Sequence, residues 1–365
     1  MNKLVQRTRF SNIQYSPELQ TVFKSLQTNI VEIPPSSYIN KNMNSKQLPI
    51  VFSKYEISSS FLVNYWGIFW FLVIGLMSFT IITIIMIIRK KEEEDKKLKF
   101  LSFAAFNFFL VVLFGSLDDI MFFGILDMRS SSHNSALSNF SFTLALIFTI
   151  SAVTLLALYF KFLRRYQAKL NGMKIAPITI PNASDLKKDN EYLKLFYQDF
   201  DDSSLTKLAF FIFFVIRSMI TGVIYATLFE HPLAQSILLM LMSMTMMIAL
   251  HIKRPFKEKN NHYFQLFLES VLLLVYFFDF ILAIMDQAGS GDYRARERIC
   301  MGIIVLAVIL IVVNVIALLV KIFQALSSYF TILKFEQIYK SVKIHSEPTS
   351  PTDISRKPTI VPDQI

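Results

Sequence analysis

Residues 299–320 read ICMGIIVLAVILIVVNVIALLV, a stretch without a charge and with one amide, Asn314. A run of about 20 apolar residues matches the ~30 Å hydrocarbon core of a bilayer. Lipid offers no partner to a bare peptide group, so such a run must satisfy its own backbone and is therefore a helix. The same signature recurs upstream at about 60–88, 100–125, 140–163, 208–229, 233–252 and 263–285. Together these spans predict an all-α, polytopic membrane protein, a seven-transmembrane bundle over residues 60–325.

Composition points the same way, with 53% hydrophobic residues, 36 Phe and 18% charged residues, against about 25% charged in an average soluble domain. A formal charge of +10 suits nucleic acid in principle. Here Lys and Arg gather at the ends of the spans, where anionic lipid and topology already account for them. The lipid bilayer is the expected partner, and nucleic acid is not. The lone cysteine, Cys300, excludes an intrachain disulfide and any multi-cysteine metal site. No Gly-rich phosphate loop, Cys/His cluster or nucleophile motif occurs, and the five histidines fall in loops or at span edges. Enzymatic chemistry, cofactors and metals are not expected.

The loops orient the bundle. Basic residues are dense at 89–99, 161–194 and 253–259, against one Arg in 127–139 and none near 230–232. The dense loops are expected to be cytoplasmic, which puts the N-terminus outside and the C-terminus in the cytosol. The loop between the last two spans runs against this count, because Arg294, Arg296 and Arg298 lie there beside Asp292 and Glu297.

Residues 1–59 read as a polar extracellular juxtamembrane segment whose Leu, Val and Ile are too sparse for a core of its own. Trp66 and Trp70 near the entry of the first span, and Arg89-Lys90-Lys91 at its exit, are interfacial anchors. In the cytosolic loop, residues 185–206 are amphipathic, with Tyr192, Phe196 and Phe200 on one face of a helix that either rests on headgroups or transmits motion. Residues 326–344 continue the last span as a cytosolic helical extension. Residues 345–365 have the composition of a disordered tail, with Ser350-Pro351 as a candidate phosphorylation site. That tail is a candidate for a cytosolic partner, and homo-oligomerisation is open.

Charges inside the hydrocarbon cost about 2.5–3.5 kcal/mol each, so those present need partners. Arg217 lies about ten residues into the fourth span and Glu269 about seven into the sixth, both counted from the cytoplasmic side. Their depths differ by about 5 Å at ~1.5 Å per residue, so an intramembrane ion pair is expected, either fixing helix register or serving function. Asp118, Asp119 and Asp279 fall near the outer third and, with Asn314, form a candidate ion path. The same carboxylates can instead simply face water or headgroups.

Seven spans with an external N-terminus invite comparison with G-protein-coupled receptors, but the third span ends in Phe162-Leu-Arg-Arg without a preceding acid, and no span has an internal proline. A nearer likeness runs over about residues 20–343. Its carriers are Ser58-Ser-Ser-Phe-Leu-Val-Asn, Tyr192 to Asp201, Arg217, Pro232-Leu-Ala-Gln235, and Lys253-Arg-Pro-Phe-Lys257 followed by Asn260 and Glu269. These resemble the C-terminal multi-helix region of large cysteine-rich or EGF-like surface proteins of ciliates, which are distantly similar to transient-receptor-potential channels. The resemblance implies a plasma-membrane surface protein and a cysteine-rich ectodomain that this chain does not carry. The expected function is a non-enzymatic multi-pass plasma-membrane protein that anchors, or transduces for, an extracellular portion or partner. Lys253, Arg254, Pro255, Phe256 and Lys257 would join the long loop as its cytosolic coupling surface. The alternative is a cation-conducting channel subunit whose path uses the membrane carboxylates.

Overall fold

The computed structural model describes residues 5, 7–25, 48, 52, 54–55, 57–89, 96–130, 135–175, 199–201, 203–289 and 291–345. A 3₁₀ turn, Thr8–Phe10, is followed by α1 (Pro17–Ser25), α2 (Phe61–Arg89), α3 (Lys96–Gly115), α4 (Leu117–Ser130) and α5 (Ala136–Ile175). Next come the short α6 (Leu205–Leu208), then α7 (Phe210–Thr227), α8 (Pro232–Lys253), α9 (Lys259–Gln287) and α10 (Tyr293–His345). Among the described residues, seven helices are long and apolar enough to cross a membrane, and the only extended pairing is a single antiparallel bridge between Phe200 and Phe256. The chain is an all-α, multi-pass membrane protein.

Two compact units divide within α10, Met1–Leu310 and Ile311–Ile365. In the first, α7 and α9 lie at the centre, with 56% and 50% of their apolar windows buried against 11% for α2. The outer helix α2 turns Ile74, Met77, Ile81, Ile84 and Ile88 outward, as a lipid-facing surface requires. In the second, the described part of the helix exposes Val312, Val315, Ile316, Leu319 and Phe323. The tail from residue 346, with Ser350, lies outside the described residues.

Two sequence expectations change. The span expected over 100–125 is two helices interrupted at Ser116. The Ser116 hydroxyl donates back to the Leu113 carbonyl at 3.0 Å and exchanges a 2.8 Å hydrogen bond with the Tyr65 hydroxyl. A Gly-Ser pair whose serine bonds to a preceding carbonyl is a common cause of a helix break. The break frees α4 to press against α7, where Gly222 lies so close that a Cβ would be 2.7 Å from the Asp118 carbonyl oxygen. Small residues at such crossings let membrane helices approach.

The leader is the larger surprise. It forms no core of its own but contributes Val5, Phe10, Ile13, Tyr15, Leu19, Phe23, Phe52, Tyr55 and Ile57 to the main buried cluster, alongside Phe122, Tyr225, Phe229, Val275 and Cys300. Phe10 stacks on Phe122 at 4.8 Å, and Phe52 meets Phe229 edge-on at 5.2 Å. Its apolar residues are few but aromatic, and they enter a cluster the helices already form. A fully buried side chain of this size contributes about 1.5–3 kcal/mol.

Candidate functional site

The site lies where the leader enters the bundle. Arg7 reaches the first turn of α4, its Nη2 paired with Asp119 and 3.7 Å from the Asp118 carboxylate. The guanidinium lies over the Phe122 ring, 4.3 Å from its centroid, and beside Phe123 at 5.4 Å. With 5% of its side chain exposed, it sits where a cation over an aromatic face contributes most. The positive end of α4 adds to the field that holds the two carboxylates.

Further along, the Gln14 N–H donates to Asp286 Oδ2 at 2.8 Å. Arg296 donates to the Gln14 carbonyl at 2.8 Å and to Asp286 at 2.5 Å. Arg296, one of the three arginines that run against the loop count, is thus neutralised by Asp286 and docks the leader. Tyr15 places its hydroxyl 2.9 Å from the Thr8 carbonyl and 3.1 Å from Asp279 Oδ1. Burial pushes the Tyr15 phenol well above its ordinary range. The Ser16 N–H points at Cys300 Sγ, 3.4 Å away.

Each carboxylate of the candidate ion path in the first unit is therefore in contact with the leader: Asp118 and Asp119 through Arg7, and Asp279 through Tyr15. Asn314 belongs to the second unit. Arg7 and Tyr15 carry no signal in the sequence that marks them as site residues, and neither does Asp127, which is 2% exposed. Asp127 Oδ2 accepts from the Phe61 N–H at 2.8 Å and from the Ser141 hydroxyl at 2.6 Å, which satisfies the open start of α2. The signal available for the leader was the spacing of Leu19 and Phe23, one face of the short α1, with Tyr15 just before it.

Arg217 of α7 and Glu269 of α9 form a buried ion pair, and Gln265 Nε2 donates to the second Glu269 oxygen at 3.2 Å. At the far ends of these helices the long loop rejoins the bundle. Asp201 N–H donates to the Pro255 carbonyl at 2.7 Å, Lys257 N–H to the Asp199 carbonyl at 3.0 Å, and Phe200 stacks on Phe256 at 5.0 Å. Arg254 turns this corner with a left-handed backbone, φ 42°, and Lys253 ends α8. Asp201 accepts from Lys207 Nζ at 2.8 Å and from Ser203, and these bonds, Lys207 first, hold its carboxyl down at about 2. Of the proposed coupling surface, Tyr192 and Phe196 lie outside the described residues.

No protein-family model, curated protein or solved structure matches the chain. The geometry of the site can hold a segment of the chain by charge and aromatic stacking. Among the described residues, no group of three or more His, Cys, Asp or Glu side chains is arranged to hold a metal ion.

Proposed function

We propose that the chain is a non-enzymatic plasma-membrane transducer in which the N-terminal leader is a built-in ligand of the bundle. The observation that carries this reading is the engagement of Asp118, Asp119 and Asp279 by Arg7 and Tyr15. A cation path needs its carboxylates free to face water. Here they hold a peptide segment, which favours a receptor-like role over a pore. The leader touches α7 near Tyr225 and α9 at Asp279. These helices are cross-tied midway by Arg217 and Glu269, and their other ends adjoin the Phe200–Phe256 bridge. Moving the leader therefore shifts two helices whose far ends form the cytosolic coupling surface. An extracellular portion or partner that pulls on the leader is the natural input, in keeping with the resemblance to ciliate surface proteins.

The test combines recording and proteolysis. Arg7→Glu sets a like charge against Asp118 and Asp119 and displaces the leader. Trypsin cleavage after Lys253 and Lys257 in inside-out vesicles is expected to rise relative to wild type, with no cation current in either. A resting wild-type current whose selectivity changes in Asp118→Asn with Asp119→Asn contradicts the transducer and supports the channel.

A further inference from the structure

Of the described arginines around the docked leader, Arg7 pairs with Asp118 and Asp119, Arg217 with Glu269, Arg296 with Asp286 and Arg129 with Glu230, while Arg9 lies over the Phe10 ring and beside Tyr55. Asp279, buried at 2% exposure, has none of them. The titratable groups that face it are Tyr15 from the leader, Tyr225 from α7, Tyr276 from its own helix and Cys300 from α10, none of which is a cation. Among the described residues, Asp279 Oδ2 and the Tyr276 hydroxyl meet no hydrogen-bond partner.

The hydrogen count around Tyr15 is more telling. Its hydroxyl oxygen lies 2.9 Å from the Thr8 carbonyl and 3.1 Å from Asp279 Oδ1, both O···O contacts of hydrogen-bond length. A tyrosine supplies one hydrogen, so two full two-centre bonds here require a second. The Thr8 carbonyl can only accept, so if Tyr15 gives its hydrogen to the shorter contact, the one source of a second hydrogen on the longer contact is the Asp279 carboxyl group.

We propose that Asp279 is a proton-binding site. It stands as a neutral carboxylic acid whose O–H donates to the Tyr15 hydroxyl oxygen, so that one proton ties the leader to α9. Removing that proton leaves a charge among neutral groups and an oxygen facing an oxygen, which favours release of the leader and entry of water. The ligand is a proton, and the site couples it to the state of the leader.

This inference rests on the docked-leader reading, and the experiment separates the two. The full chain is reconstituted in nanodiscs, and infrared spectra are recorded at neutral pH alongside the labelling rate of Cys300, which the leader covers through Ser16. An acid C=O band that shifts in D₂O and vanishes in Asp279→Asn is expected. Tyr15→Phe should keep the band and move it to the frequency of an acid without its hydrogen bond. Raising the pH should speed wild-type Cys300 labelling by up to about tenfold per pH unit beyond the rise in Asp279→Asn, which reports the ionisation of the thiol alone, tenfold being the limit for one linked proton. Asp279→Asn, whose amide donates in the proton's place, should show only the rise that thiol ionisation gives. The absence of an Asp279 acid band, or the same pH response in wild type and Asp279→Asn, overturns the proposal. A Cys300 that reacts freely at neutral pH while the acid band persists overturns the docked leader instead.

Discussion

Glu269 is fully buried on α9, and its two oxygens accept from Arg217 and Gln265. Removing one partner of such a pair strands the other charge and costs about 3–5 kcal/mol. Glu269→Leu is therefore expected to lower the melting temperature and surface yield sharply, and adding Arg217→Leu should recover most of the loss. Additive losses in that double-mutant cycle contradict the pairing. A charge inside an apolar run is conspicuous in a sequence, and helix arithmetic sets Arg217 and Glu269 at neighbouring depths. Arg7 is not legible in that way, because in a polar leader a cation is background. Its carboxylates Asp118 and Asp119 stood out and read as an ion path, since the guanidinium that meets Asp119 comes from 112 residues away.

At the scale of elements, spans were legible because hydrophobic length is a strong signal, whereas breaks and crossings were not. The interruption at Ser116 depends on a hydroxyl bonding backwards to Leu113 and across to Tyr65, which composition does not reveal. The crossing of α4 and α7 depends on Gly222, whose added Cβ would be 2.7 Å from the Asp118 carbonyl and 3.2 Å from the Phe122 nitrogen. Those are backbone atoms and cannot rotate away. Gly222→Ala should destabilise the detergent-purified chain by about 1–3 kcal/mol and loosen the turn that presents Asp118 and Asp119 to Arg7. Gly291→Ala, which meets nothing within 4 Å, should stay within about 0.5 kcal/mol of wild type. Equal melting temperatures for the two variants contradict the close crossing.

At the scale of the molecule, the leader turns a set of spans into a bundle with an occupied end. Its contacts reach α4 through Arg7 and Phe10, α9 through Gln14 and Tyr15, and the start of α10 through Arg296 and Cys300. Sequence patterning misses such a segment because its residues neither repeat with a helical period over a long window nor exceed the apolar density of a loop. They find their core in other elements. The most direct measurement uses Ser16, whose N–H lies 3.4 Å from Cys300 Sγ. Ser16→Cys is combined with a specific protease site inserted within residues 26–47, and the full chain is oxidised mildly in membranes and cleaved. The account predicts that the leader stays attached to the bundle on a non-reducing gel and leaves on reduction. Release of the leader from the oxidised, cleaved chain would contradict it.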